Sequence, residues 1–257
     1  MSAYEIYIAY STIVRKEIQR FMRIWVQTLL PPSIIMVLYF IIFGNLIGSR
    51  IGQMGGFDYM QFIVPGLIMM SVISNSYGNV VSSFYSTKYQ GSLEEMLVSP
   101  MPNWVILAGY VTGGVARGLA VGTIVTCLSL FFTQLAVHNL GIIVLVVLMT
   151  SILFSLGGFI NAVFANSFDD IAIVPTFILT PLTYLGGVFY SIDLLPDFWA
   201  SVSQLNPILY MVNAFRFGIL GVSDIPVGYS LLVICGFIIA LFSYCMHLLN
   251  TGKGIRK

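Results

Sequence analysis

Residues 140–165 read LGIIVLVVLMTSILFSLGGFINAVFA, twenty-six positions without a charged side chain. At about 1.5 Å per residue, a helix of that length covers the roughly 30 Å hydrocarbon core of a bilayer. Its apolarity is continuous, without the in-out alternation of a barrel strand, so the backbone must satisfy its own hydrogen bonds as a helix. The rest of the chain is composed in the same way. Of 257 residues, 58% are hydrophobic and 8% charged, with a mean hydropathy of +0.95. A soluble domain carries about 25% charged residues. The expected fold is therefore an all-α polytopic membrane protein.

Working outward from that run gives five more spans. Toward the N-terminus they fall at about 105–133, interrupted by Arg117, at 61–86, which contains Pro65 and Gly66, and at 26–48, between Arg23 and Arg50 with Pro31 and Pro32 near its start. Toward the C-terminus they fall at about 171–190 and 227–249. The intervening segment, about 191–222, carries Asp193, Asp197 and Arg216, and is too polar in places for a span and too apolar in others for a plain loop. Residues 4–24 form an amphipathic helix. Arg15, Lys16, Gln19, Arg20 and Arg23 share one face and Tyr10, Val14, Ile18, Phe21 and Trp25 the opposite one, a pattern suited to lying in the membrane interface. Glu17 is on the wrong face for it.

Orientation follows from the distribution of Lys and Arg. With six spans and an inner N-terminus, the cytoplasmic side holds Arg15, Lys16, Arg20, Arg23, Lys88, Lys253, Arg256 and Lys257, against Arg50 and Arg216 outside. Both termini and the 88–104 loop are expected in the cytoplasm.

Several function classes drop out. The net charge of +1, with basic clusters only at the two ends, argues against a nucleic-acid partner. Cys127, Cys235 and Cys245 lie in apolar runs without zinc-site spacing and read as buried thiols; His138 and His247 are expected at opposite membrane ends, so no metal or triad arrangement is supported. No GxxxxGK[ST] loop is present, so this chain does not cradle a nucleotide phosphate in that manner. No cofactor is expected on it.

A few residues stand out. Arg117 is a basic residue at a helix centre, costing about 2.5–3.5 kcal/mol on insertion scales. It reads either as a pathway or gating contact in the bundle or as a side chain snorkelling to the cytoplasmic interface. Around it Gly109 and Gly113, and Gly114, Gly118 and Gly122, recur every fourth residue, a ridge that lets another helix approach closely. Asp169 and Asp170 sit in a cytoplasmic turn, where paired acids read as a cap for the next helix's N-terminus or a partner-docking element more than as a cation or proton site. Asn206, Tyr210 and Arg216 belong to an aromatic-rich junction outside the membrane, either an interfacial belt or part of a gate. In SLEEMLVSPMP (92–102), a short helix with Leu93, Met96 and Leu97 on its apolar side and Glu94 and Glu95 exposed reads equally as a partner-docking element or a solvated turn.

In this order and spacing, RFMRIWVQTLLPP (20–32), MQFIVPGLIMMSV (60–72), SLEEMLVSPMP, FDDIAIVPTFILTPLTYLGGVFYSIDLLP (168–196) and LNPILYMVNAFRFGILG (205–221) resemble the membrane subunit of ABC-2 type exporters over essentially the whole chain. The resemblance implies a bacterial inner-membrane permease paired with a second permease chain and two ATPase subunits, which use the ATP. It identifies Ser92 to Pro100 with the coupling helix, shifting Glu94 and Glu95 toward partner docking, and 186–220 with an outer re-entrant element. An ion-driven secondary transporter would need intramembrane carboxylates and broken midplane helices, and a membrane enzyme convergent nucleophile and base positions; neither pattern is legible.

Overall fold

The computed structural model describes residues 1–254; Arg256 and Lys257, counted above among the inner charges, lie outside the described residues. The chain opens with α1 (Ala3–Arg23), started by a capping box in which the Ser2 amide donates to the Glu5 carboxylate and the Glu5 amide to Ser2 Oγ. The next stretch is built of α2 (Trp25–Thr28), α3 (Leu30–Tyr39), a π-helical segment (Phe40–Ile47) and α4 (Gly48–Ile51). A two-rung antiparallel hairpin, β1 (Gln53–Met54) and β2 (Phe57–Asp58), turns at Gly55 and Gly56, whose φ values of 61° and 83° suit glycine. Then come α5 (Tyr59–Tyr89), α6 (Ser92–Val98), α7 (Asn103–Ser129) and α8 (Leu140–Phe164). A broken helix follows, α9 (Asp170–Val174), a π turn (Pro175–Leu179) and α10 (Thr180–Leu185), and after a 3-10 turn (Ile192–Leu194) the chain ends in α11 (Asp197–Gln204), α12 (Pro207–Leu220) and α13 (Val227–Thr251).

Among the described residues, four stretches are long and apolar enough to cross a membrane: Trp25–Gly44, Asn103–Ser129, Leu140–Phe164 and Val227–Thr251. The longest helix, α5, is more polar, and it is the axis of the bundle. It packs on α7, α8 and α12, and buries Asn75, Ser76, Asn79, Ser83 and Thr87 along with its apolar residues. A polar helix is tolerated there because protein, not lipid, surrounds it.

The α7 glycines serve two different neighbours. A Cβ on Gly109 or Gly113 would press into Ile13 or Glu17 of α1, whereas one on Gly114, Gly118 or Gly122 would press into side chains of α5, with Ser155 and Ser151 of α8 also against the first two. One helix thus brings both its sides into backbone-close contact. Two prolines leave carbonyls that other helices fill. Pro32 has no N–H for the Thr28 carbonyl, which accepts from Arg117 Nη2 (3.3 Å), and Pro175 has none for the Ile171 carbonyl, which accepts from Asn161 Nδ2 (3.1 Å).

Four sequence expectations change. The third run ends as helix at Ser129, followed by a turn through Phe132. Cys127 and Cys235 are exposed on the outside of the bundle and only Cys245 is buried. The junction at Asn206, Tyr210 and Arg216 is packed into the core, because α12 inserts against α5, α8 and α13. Finally, α1 docks on the bundle along the border between its basic and apolar faces, which buries Glu17. Its buried stripe is Ile13, Glu17 and Phe21, one residue per turn, and Arg20 turns inward.

Candidate functional site

Three constellations are set by this packing, at the α6 end, inside the bundle and at the opposite end. At the first, Gly91 takes φ 78° and lets α6 start immediately after α5. Leu93 is 1% exposed and anchors the short helix, with Met96 and Leu97 half-buried beside it. Glu94 and Glu95 are exposed, and Val98 is 87% exposed, an apolar side chain with no cover from its own fold. The turn 166–169 joins the same end: Phe168 meets Tyr85 and Tyr89 edge-on at 4.9 and 5.3 Å. Lys88 Nζ donates to the carbonyls of Val163 and Ala165, closing the C-terminus of α8 with a cation. Asp170 accepts from the Asn166 and Ser167 amides and the Ser167 hydroxyl, while its own amide donates to Ser167 Oγ. These bonds hold its carboxyl below the usual aspartate range. Asp169 is exposed beside it.

Inside the bundle lies a polar seam that the sequence reading did not find. Glu17 is fully buried; Ser83 Oγ donates to its Oε1 and Arg20 Nη2 approaches its Oε2 at 3.4 Å. Arg20 Nη2 also donates to the side-chain and backbone oxygens of Asn79, at 2.8 and 3.0 Å. One level further along, Arg117 Nη2 donates to Asn75 Oδ1 (3.1 Å) as well as to the Thr28 carbonyl. Arg117 is therefore bound to α5 and to the start of the first long apolar stretch. The signal for Glu17 was its misfit in the α1 pattern, opposite the Gly109 and Gly113 ridge.

An expected result follows for Arg117. Replacing it by Leu leaves the Thr28 carbonyl and Asn75 Oδ1 without their donor and lowers stability by about 1–3 kcal/mol. Adding Pro32→Ala returns an N–H to the Thr28 carbonyl and recovers part of the loss. Thermal melting of the purified variants reads both, and equal melting of wild type and Arg117→Leu would deny the tie.

At the opposite end, Arg216 is 1% exposed. Its Nη2 donates to the Gly187 carbonyl (2.6 Å) and its Nε to the Phe62 carbonyl (3.4 Å), while the guanidinium lies 3.9 Å from the Phe62 ring centroid. Asn206 caps α12 through the Ile208 amide and donates to the Leu182 carbonyl (2.6 Å), and the Tyr210 hydroxyl donates to the Gln204 carbonyl (2.6 Å). Together the three tie the segment from α10 to α12 onto α5. Among the described residues no group of three or more His, Cys, Asp or Glu is arranged to hold a metal ion.

The arrangement is a helical bundle with a protruding short helix at one end and a tied-down folded segment at the other. Residues 8–220 match the ABC-2 type transporter family. The chain belongs to the ABC-2 type transporter family. It is 60% identical over 251 residues, 98% of each chain, to the inner membrane transport permease YadH of Escherichia coli K12, and equally to that of Shigella flexneri. It is 22% identical over 219 residues, 83% of each chain, to nodulation protein J of Rhizobium leguminosarum bv. viciae. This ABC-2 chain is thus a multi-pass transport permease of the inner membrane and not an enzyme. Membership also implies an ATPase partner and a paired permease.

Proposed function

We propose that the chain is the membrane-spanning subunit of an ATP-binding cassette exporter, forming half of the translocation pathway in a complex of two permease and two ATPase chains. Six crossings are made by the four long apolar stretches, by α5 and by the broken helix α9–α10, with residues 191–222 as an outer re-entrant element and both termini in the cytoplasm. ATP is bound and hydrolysed by the partner, and this chain holds no cofactor of its own. The observation that carries the reading is α6. Leu93 is anchored by burial while Glu94, Glu95 and Val98 stand out at the end of the central helix, which suits a lever whose outer side fits a groove in the ATPase. Closure of the ATPase pair then reaches α5 and α7 directly, because α6 is strung between them. Switching between inward-facing and outward-facing packings is the kind of rigid-body change that bistable interfaces support. In this scheme Arg117 belongs to the bundle interior that repacks, and Asn206, Tyr210 and Arg216 to the outer gate.

A second reading, an ion-driven secondary transporter, gains two observations that the sequence did not offer: the buried carboxylate Glu17 and the broken helices at Pro32 and Pro175. Glu17, however, is engaged by Ser83 and Arg20 at the α1 packing surface, which favours a structural use of the acid. Reconstitution separates the two. The permease in nanodiscs with its ATPase is expected to raise ATP hydrolysis above that of the ATPase alone. Cargo movement driven by a sodium or proton gradient, with ATP hydrolysis unaffected, would favour the second reading.

A further inference from the structure

The two arginines of the polar seam are not fully neutralised by the protein around them. Arg20 and Arg117 reach α5 at Asn79 and Asn75, four residues apart, so their guanidinium groups lie about one helical turn from each other. They are close enough for the charge of one to be felt at the other. Each uses only Nη2 on the protein, donating inward. Nε of both, and Nδ2 of Asn79 beside Arg20, are enclosed without an acceptor. Among the described residues Glu17 is the one carboxylate in ion-pair range of either arginine, and it faces Arg20. Two cations thus share one buried acid. Like charges held a turn apart repel, and a charge withdrawn from water is kept only where it is paired. The pair is short of one anion.

The outward edge of the two groups shows where that anion can approach. Nη1 of neither arginine takes an acceptor among the described residues; the Arg20 side chain is 28% exposed and Arg117 is half-buried. Arg117 also holds the Thr28 carbonyl, which fixes it within a turn of Trp25, where the first long apolar stretch begins. Ile24, Trp25 and Val26 are all exposed there. A tryptophan at the start of a spanning stretch sits at the depth of the lipid headgroups. The positive pair therefore lies at the level of lipid phosphates, with bare apolar surface beside it.

We propose that Arg20 and Arg117 form a discrete site for the phosphate of an anionic phospholipid, with the two Nη1 groups donating to its oxygens and an acyl chain lying along Ile24 and Val26. Charge-assisted bonds of about 2.8 Å on either side of one phosphate can bridge donors a helical turn apart. A free anion would leave the apolar surface bare, and a zwitterionic headgroup would set its own ammonium against the pair. The lipid is a resident component that fastens α1 to α5 and α7, because its phosphate joins a residue of α1 to one of α7 while both are tied to α5. What the permease carries does not enter the inference.

The test is native mass spectrometry of the full chain in an uncharged detergent, titrated with phosphatidylglycerol, with diacylglycerol of the same acyl chains, and with inorganic phosphate as competitor. One phosphatidylglycerol per chain is expected to bind saturably, and phosphate at equal concentration is expected not to displace it. Diacylglycerol, which lacks the charge that both arginines read, is expected to bind about tenfold more weakly or worse. Arg20→Gln and Arg117→Gln should each weaken phosphatidylglycerol about fivefold, the effect of one basic side chain on an anionic lipid. Arg15→Gln, exposed on the side of α1 away from its buried stripe, should bind as wild type. If Arg117→Gln does not keep the charge-state distribution of a folded chain, Arg20→Gln decides alone. Equal binding of diacylglycerol, equal weakening by Arg15→Gln, displacement by phosphate, unchanged binding by Arg20→Gln or no saturable binding at all would each overturn the proposal.

Discussion

Reversing both acids of α6, Glu94→Arg with Glu95→Arg, is expected to strip the ATPase from the permease and leave the permease folded. Both side chains are exposed, so the fold should change by no more than about 0.5 kcal/mol, the usual scale for surface substitutions. At a docked interface the same change replaces attraction by like-charge opposition. Disrupting charge pairs at interfaces costs about 2–5 kcal/mol, which corresponds to a loss of affinity of about 30-fold or more. Co-purification of the ATPase should therefore fail while the melting temperature of the permease holds. A truncation, Leu93→Ala, should behave oppositely: it removes the buried anchor of α6, and the helix detaches from the end of α5 although its acids remain. Wild-type co-purification and coupled ATP hydrolysis in the double reversal would remove α6 from the mechanism.

The largest structural loss is expected at Arg216. Its side chain is the largest of the fully buried ones, and Arg216→Ala removes a ring contact, two carbonyl bonds and the volume of the chain together. Large-to-small changes at buried aromatic positions cost about 3–5 kcal/mol, and a comparable loss is expected here. The consequence is local before it is global, because Gly187 begins the segment that leads to α11. That segment is also wedged against α5 at Gly66, where a Cβ would lie 2.6 Å from the Val188 carbonyl. In Arg216→Ala, residues 187–205 should become open to protease added from the outer side at temperatures where wild type resists. Arg216→Lys retains the charge but cannot donate in a fork, so it should fall between the two. An unchanged melting temperature and protease pattern in Arg216→Ala would show that the outer segment is held by its apolar contacts alone.

The sequence made the membrane class legible because the signal lies in composition and run length, both of which survive without knowing what touches what. The run at 140–165 and the helix Leu140–Phe164 differ by one residue. The SLEEMLV helix was readable for a similar reason, since a proline stop, two exposed acids and an apolar side are local properties. What could not be read were partnerships across the bundle. Glu17 broke the amphipathic pattern of α1, but only the α7 glycines facing it explain why an acid belongs there. Arg117 had two readings from hydropathy, and neither foresaw its bond to a carbonyl left open by Pro32, 85 residues earlier in the chain. Hydropathy also treats every exposed apolar residue alike, which is why the cysteines at 127 and 235 were misjudged. In a membrane protein the exposed surface is as apolar as the core.

The central claim is that α6 meets an ATPase on the cytoplasmic side while the 191–222 segment stays on the other. Its most direct test is photo-cross-linking in the assembled complex, with the photoreactive amino acid placed at Val98 in one protein and at Trp199 in another, both exposed positions at opposite ends. The account predicts an ATP-dependent cross-link from position 98 to the ATPase and none from position 199. A cross-link to the ATPase from position 199, or labelling of position 98 by a membrane-impermeant reagent added from the outer side, would contradict it.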